Sequence, residues 1–319
     1  MSATRTPPPE LVAALIGKEI RGTHSYRIER LLGQGGTSSV FRGELLVKGR
    51  PVAIKVLHAQ WARQPEMALR FQREISTAKR ITHPNVVSVS DAGSLEDGSL
   101  FLVMELLEGT SLASLIEEGP IPPARALAIT RQILFALDAA HQHGVVHRDV
   151  KPSNVFIVQK DGQEVVKLFD FGIALNDKAA VKLTAAGTAF GTPEYISPEM
   201  AMGQKVDGRA DLYSLGVVLF EMVTGRLPFV SGDPIALLRA HINEAAPTPR
   251  SVSKDVPKPL DALIVRAMSK KPDARFPSAE AMRQAVDAAA GLDSGRRPIA
   301  WVLLLILAVL GYLVWRFLL

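Results

Sequence analysis

Two short polar clusters carry side chains able to hold a charged substrate. The first is His147-Arg148-Asp149-Val150-Lys151-Pro152-Ser153-Asn154, a dense polar loop that runs straight into the apolar Val155-Phe156-Ile157. The second is Asp170-Phe171-Gly172, which follows Val166-Lys167-Leu168. Asp149, Asn154 and Asp170 supply two carboxylates and an amide near strand ends. Oxygen donors of that kind suit Mg²⁺, a hard cation that keeps several of its waters.

Upstream, Gly33-Gln34-Gly35-Gly36-Thr37-Ser38-Ser39-Val40 joins two strand-like runs. Glycines at Gly33, Gly35 and Gly36 let backbone N–H groups approach a phosphate with no Cβ in the way. Alone, such a turn reads as an ordinary hairpin. Here Val52-Ala53-Ile54-Lys55 follows on the next strand-like run, and a lysine beside a phosphate turn is a point charge for phosphate oxygens. Glu74, on a helical stretch, is the natural carboxylate to keep that ammonium charged and aimed.

Something must position these groups. Tyr26–Leu32, Ser39–Leu46, Val52–Leu57, Val86–Ala92 and Leu100–Glu105 read as strands. Pro65–Arg80 reads as a helix ended by His83-Pro84. From Pro122 onward helices dominate: Leu127, Thr130, Leu134, Leu137 and His141 follow the 3/4 spacing of a buried helix. Asp211–Thr224 is apolar nearly all round, as a central core helix must be, and residues 257–290 hold two amphipathic helices. A strand-rich first part and a helix-rich second part predict two lobes.

In order and spacing, these motifs resemble those of the eukaryotic-type (Hanks-type) serine/threonine protein kinases, and most of all their bacterial membrane-anchored group. The resemblance covers about residues 26–290. It implies an α+β bilobal protein-kinase fold, with a β-rich N-lobe and an α-helical C-lobe, and transfer of the γ-phosphate of ATP, with Mg²⁺, to Ser or Thr hydroxyls of proteins. Lys55 would hold the α- and β-phosphates and pair with Glu74. Asp149 would orient the substrate hydroxyl, Lys151 would neutralise charge on the phosphoryl group, and Asn154 and Asp170 would ligate Mg²⁺. Val40, Ala53 and Phe156 would sandwich the adenine. Met104 would stand as gatekeeper, and Glu105-Leu106-Leu107 would offer backbone hydrogen bonds. Ser38 occupies the place of the family's third loop glycine, which bears on loop flexibility. The alternatives, a pseudokinase or a small-molecule kinase, sit badly with the intact Lys55, Asp149 and Asp170 and with the docking segment.

That segment is Gly191-Thr192-Pro193-Glu194-Tyr195-Ile196-Ser197-Pro198-Glu199. By resemblance, Thr192 bonds Asp149 and Lys151, Glu199 pairs with Arg275, and Asp211 caps the catalytic-loop backbone. Lys151 in the loop implies the serine/threonine class. Thr184 and Thr188 are the hydroxyls placed to receive an activating phosphate opposite Arg148, by autophosphorylation within a transient homodimer.

The C-terminus has a different composition. Ile299 to Trp315 carries no charge, and Leu, Ile and Val fill 11 of those 17 positions. Extended to Leu319, the segment reaches about 30 Å as a helix, the thickness of the hydrocarbon core. Trp301, Tyr312 and Trp315 lie toward its ends, and Arg296-Arg297 before it predict a cytoplasmic kinase domain on a single-pass anchor in the cell (inner) membrane. The expected organisation is thus a flexible segment over 1–25, a kinase domain over 26–290, a linker over 291–298 and a transmembrane helix over 299–319. The net charge of +5 is spread along the chain, which gives no nucleic-acid footprint. The absence of cysteine excludes a disulfide scaffold or a thiolate zinc site.

Overall fold

The computed structural model describes residues 12–170 and 193–291. The predicted membrane span over 299–319, the linker from 292 on, Thr184, Thr188 and Thr192 lie outside these residues. Among the described residues, no helix is long and apolar enough to cross a membrane.

The first lobe is built on six antiparallel strands: β1 (Glu19–Arg21), β2 (Ser25–Gln34), β3 (Ser38–Leu45), β4 (Arg50–Leu57), β5 (Val89–Ser94) and β6 (Leu100–Glu105). Their order is β1-β2-β3-β4-β6-β5. Register decides which side chains meet. Val40 pairs with Lys55, Lys55 with Leu102, and Ala53 with Met104. Since side chains alternate across a strand, these five residues share one face. Ile28, Phe41, Ile54, Val56, Phe101 and Val103 take the other face and form a closed core with Val12, Ile20 and Tyr26. A one-residue slip would exchange the two sets.

Residues 12–25 depart from the flexible segment expected over 1–25. Val12 and Ile20 are buried, and β1 pairs with β2. Asp91, 1% exposed, accepts bonds from the His24 amide and the Tyr26 hydroxyl, both at 3.0 Å, and so ties this segment to β5. Burial works against the Asp91 carboxylate, yet the backbone amides around it hold its pKa well below the usual range. The strand expected at Val86–Ala92 instead begins at Val89, because residues 85–87 are bonded elsewhere: Leu168 N donates to Asn85 O and Val87 N to Leu168 O.

Between β4 and β5 lie the short α1 (Ala59–Ala62) and α2 (Pro65–Ala78). Phe71 of α2 packs with Leu57 and Leu102. Next come β7 (Gly109–Ser111), α3 (Leu112–Glu117) and α4 (Pro123–Gln142), then β8 (Val155–Lys160) and β9 (Gln163–Leu168), which join β7 in a three-stranded sheet. The second lobe continues with α5 (Pro198–Ala201), α6 (Arg209–Thr224), α7 (Pro234–Asn243), α8 (Pro249–Val252), α9 (Lys258–Ala267) and α10 (Ala279–Ala289). All but three of the sixteen residues of α6 are buried, the pattern of a helix surrounded by protein on every side. Gly216 permits its closest approach, since a Cβ there would lie 2.9 Å from Ala267 Cβ. Gly225, with φ +69°, ends the helix as its left-handed cap.

Candidate active site

The polar loop between α4 and β8 is suspended from Asp211, a fully buried carboxylate on the first turn of α6. Asp211 Oδ1 accepts from the Arg148 amide at 2.7 Å. Its Oδ2 accepts from the His147 amide at 2.9 Å and lies 2.7 Å from His141 Nε2. These bonds hold Arg148 at φ +66°, a left-handed conformation that costs a non-glycine residue about 1–3 kcal/mol and persists only where the surroundings enforce it.

His147 joins this loop to the segment carrying Asp170. The Asp149 amide donates to its Nδ1 at 3.2 Å, so the ring proton sits on Nε2, 3.0 Å from the Phe169 carbonyl it donates to. Burial pushes the His147 pKa down, which outweighs the nearby carboxylates of Asp211 and Asp149 and keeps the ring neutral. Phe169 N also donates to Asn154 O at 3.2 Å. Asp170, immediately after, has φ +57°.

Two ion pairs organise the cleft. Lys151 Nζ lies 2.8 Å from Asp149 Oδ2. Asn154 Nδ2 donates to both Asp149 O and Asp149 Oδ2 at 2.9 Å. That commits the Asn154 amide nitrogen and turns its Oδ1 into the atom suited to a cation. Across the cleft, Lys55 Nζ lies 2.6 Å from Asp170 Oδ1. Burial alone would raise the Asp170 pKa, but the Lys55 ammonium, with Lys151 beyond it, brings it below the ordinary carboxylate range. An amide oxygen and an ionised carboxylate fit Mg²⁺ by donor chemistry. Among the described residues, no group of three or more His, Cys, Asp or Glu could hold a metal by itself.

The cleft's roof carries Val40, Ala53, Lys55, Leu102 and Met104 on its shared face. Ala53 is buried, while Val40 above and Phe156 on β8 are half-buried. Ala78, Val87, Val89, Leu102, Met104, Phe169 and Asp170 line a small cavity against this face. Leu106 and Leu107 follow β6 outside any regular element. The Glu105 side chain is engaged in holding the two sheets together: its carboxylate accepts from Lys167 Nζ at 2.8 and 3.0 Å and from Ser88 N at 2.8 Å. At the β2–β3 turn, a Cβ added to Gly33 or Gly36 would meet no atom within 4 Å. Packing inside the chain does not demand glycine there. Ser38 begins β3 opposite Leu57. Glu74 lies on α2; its side chain falls outside what is described, and its pairing with Lys55 remains an expectation.

Below the cleft, Arg275 and Glu199 form a bidentate pair with both contacts at 2.7 Å. Arg275 is 1% exposed and also donates to the carbonyls of Ser269, Arg209 and Lys270. These five bonds match the five N–H donors of a guanidinium, so a buried charge is fully satisfied.

Sequence reasoning assigned no role to His141 or to the His147 ring, and it did not find the Glu105–Lys167 pair. The last left a trace, a lone charge in the otherwise apolar Val165-Val166-Lys167-Leu168 run.

The chain belongs to the protein kinase domain family, whose profile matches residues 26–286. It is 45% identical over 267 residues to the serine/threonine-protein kinase PksC of Streptomyces coelicolor, covering 81% of this chain and 48% of that protein. It is 41% identical to the serine/threonine-protein kinase pkn3 of Myxococcus xanthus, over 85% of this chain and 51% of the relative. The chain thus spans about half the length of the curated relatives it matches. Among solved structures, the PknI kinase domain of Mycobacterium tuberculosis superimposes with a TM-score of 0.67 at 28% identity, covering 85% of this chain and 98% of that one.

Proposed function

We propose that this chain transfers the γ-phosphoryl group of ATP to Ser and Thr hydroxyls of protein substrates. The observation that carries this reading is the pair of facing carboxylates, each held by its own lysine: Asp149 with Lys151 at 2.8 Å and Asp170 with Lys55 at 2.6 Å. Phosphoryl transfer needs positioning and charge neutralisation more than covalent chemistry. Lys55 would hold the non-transferring phosphates. Asp149, fixed by Asn154 and Lys151, would accept or orient the proton of the attacking hydroxyl. Lys151 would then offset charge on the moving group. Mg²⁺, when held by Asn154 and Asp170, supplies positive charge to the phosphate oxygens.

Three finer parts of the proposal rest on sequence. Phosphorylation of Thr184 or Thr188 in trans, in a transient homodimer, would activate the enzyme through Arg148. Residues 299–319 would anchor it as a single span in the cell membrane, with the kinase domain cytoplasmic and 291–298 as the linker. Its partners would be protein substrates and the lipid bilayer, and no nucleic acid.

The test is incubation of the full chain with Mg²⁺ and γ-labelled ATP beside Asp149→Asn. Label on Ser or Thr in the parent and none in the variant is the expected result. Equal labelling, or none in either with a generic protein substrate present, would sink the proposal. Peptide mapping of the label addresses Thr184 and Thr188, and co-flotation with lipid vesicles addresses the span.

A further inference from the structure

β9 has a strand neighbour on one side only, since it ends the β7-β8-β9 sheet. Alternate residues of such a strand turn their N–H and C=O groups to the open edge, here Glu164, Val166 and Leu168. Left bare inside a protein, those groups would be unpaired. Pieces of two distant segments cover them instead. Gln132, on α4, accepts from Val166 N at 2.9 Å and donates through Nε2 to Glu164 O at 3.0 Å. Asn85, between α2 and β5, donates through Nδ2 to Val166 O at 2.8 Å and to Gln132 Oε1 at 2.9 Å. Main chain then takes over: Leu168 N donates to Asn85 O at 2.8 Å, and Val87 N to Leu168 O at 3.0 Å.

Gln132 stands in for a missing strand. A side-chain amide carries a C=O and an N–H in one plane, the pair that a neighbouring peptide group would offer. The cover ends where the chemistry begins. Both backbone groups of Leu168 are bonded, and so are both of Phe169, whose N–H donates to Asn154 O at 3.2 Å and whose C=O accepts from His147 Nε2 at 3.0 Å. Asp170 follows directly, with φ +57°, a conformation that persists only where the surroundings enforce it. A slip of β9 would therefore reach the Asp170 carboxylate within two residues. Asp149 is held separately, by Lys151 and Asn154 and by the bonds of its loop to Asp211.

We infer that Gln132 is a positioning residue for Asp170: by holding β9 in register, it sets where that carboxylate stands for a cation. This rests on the proposed role of Asp170 as a Mg²⁺ ligand. The bonds of Gln132 go to β9 and Asn85 and none to the Val40, Ala53 and Met104 surface. Its loss must then show in the cation dependence of nucleotide binding and not in the affinity for base and ribose.

The experiment is calorimetric titration of the full chain, in mild detergent over a range of Mg²⁺ concentrations, by a non-hydrolysable ATP analogue and by adenosine. Gln132→Met keeps the length of the side chain and deletes its three bonds. Gln132→Glu keeps an acceptor for Val166 N and Asn85 and turns a second oxygen against Glu164 O, with less disturbance of packing. Each variant is expected to raise the Mg²⁺ concentration for half-maximal analogue binding by about 10-fold, the lower end for groups that orient a metal-ligating side chain, and to leave adenosine affinity unchanged. In an Asp170→Asn background, Gln132→Met is expected to add nothing, because both changes act through one carboxylate. An additive effect in that background, an unchanged Mg²⁺ requirement in the two single variants, or equal weakening of adenosine and analogue would each overturn the inference with the ATP site intact. A parent chain that binds the analogue equally well with and without Mg²⁺, or not at all, would remove the role of Asp170 and the inference together.

Discussion

Replacing Asp211 by Asn tests whether the catalytic loop is held by the geometry described above. Asp211 offers two acceptor oxygens to three N–H groups: Arg148 N on Oδ1, and His147 N and His141 Nε2 on Oδ2. Asn has the same shape but one acceptor oxygen, and however the amide is turned its NH2 meets at least one of those donors head-on. Losing one bond to a charged group costs about 1.5–3 kcal/mol and stranding a buried donor about 1–3 kcal/mol, so the variant should lose about 2.5–6 kcal/mol of stability. That is a large part of the 5–15 kcal/mol typical of a domain. The orientation that keeps the oxygen on His147 N and His141 Nε2 turns the NH2 onto the Arg148 amide, so the damage should extend to chemistry, because that amide bond holds Arg148 in its left-handed conformation and Asp149 is the next residue. A displacement of about 1 Å at Asp149 is worth about 10²-fold in kcat. Urea unfolding gives the first quantity, and steady-state kinetics at saturating ATP the second. The reasoning fails if Asp211→Asn unfolds within about 0.5 kcal/mol of the parent, as an ordinary surface substitution does, and keeps its kcat.

Two further perturbations follow from the same geometry. Arg275→Lys replaces a five-donor fork with a three-donor point charge against Glu199 and should cost about 3–5 kcal/mol, the usual penalty for breaking a buried pair; a urea midpoint close to the parent's would contradict this. His241 is buried against Phe229 and the Tyr213 hydroxyl, and burial, with the Lys270 charge adding to it, lowers its pKa to about 4. The unfolded ring titrates near the ordinary 6.5, so between pH 6.5 and about 4 the unfolded chain binds the extra proton. Stability from this group is complete above that window and is lost as pH falls through it, by up to about 3 kcal/mol. His241→Gln should flatten the acid side of the stability curve by that amount, and parallel curves for parent and variant would refute the assignment.

Legibility in the sequence followed the range of each interaction. The strands and helices that frame the cleft were readable because burial of one face repeats every two or 3.6 residues, a signal local to each element. The chemistry-bearing residues were readable because phosphate and cation chemistry confines them to short contiguous motifs, as at Asp149, Lys151 and Asn154. What could not be read is what holds those motifs in place, since it arrives from distant elements at no fixed spacing. His141 and Asp211 are 70 residues apart, and Lys167 reaches Glu105 across 62. The N-terminal segment shows the same limit. Ile20 and the β1 strand have too little local pattern to announce an element; they are ordered by pairing with β2 and, through Tyr26, by Asp91, which lies 65 residues further along the chain. The turn at Gly33–Ser38 combines both cases: its glycines advertise a phosphate site in sequence, while Trp61, whose indole donates to Gly36 O, carries no signature until the fold brings α1 against the turn.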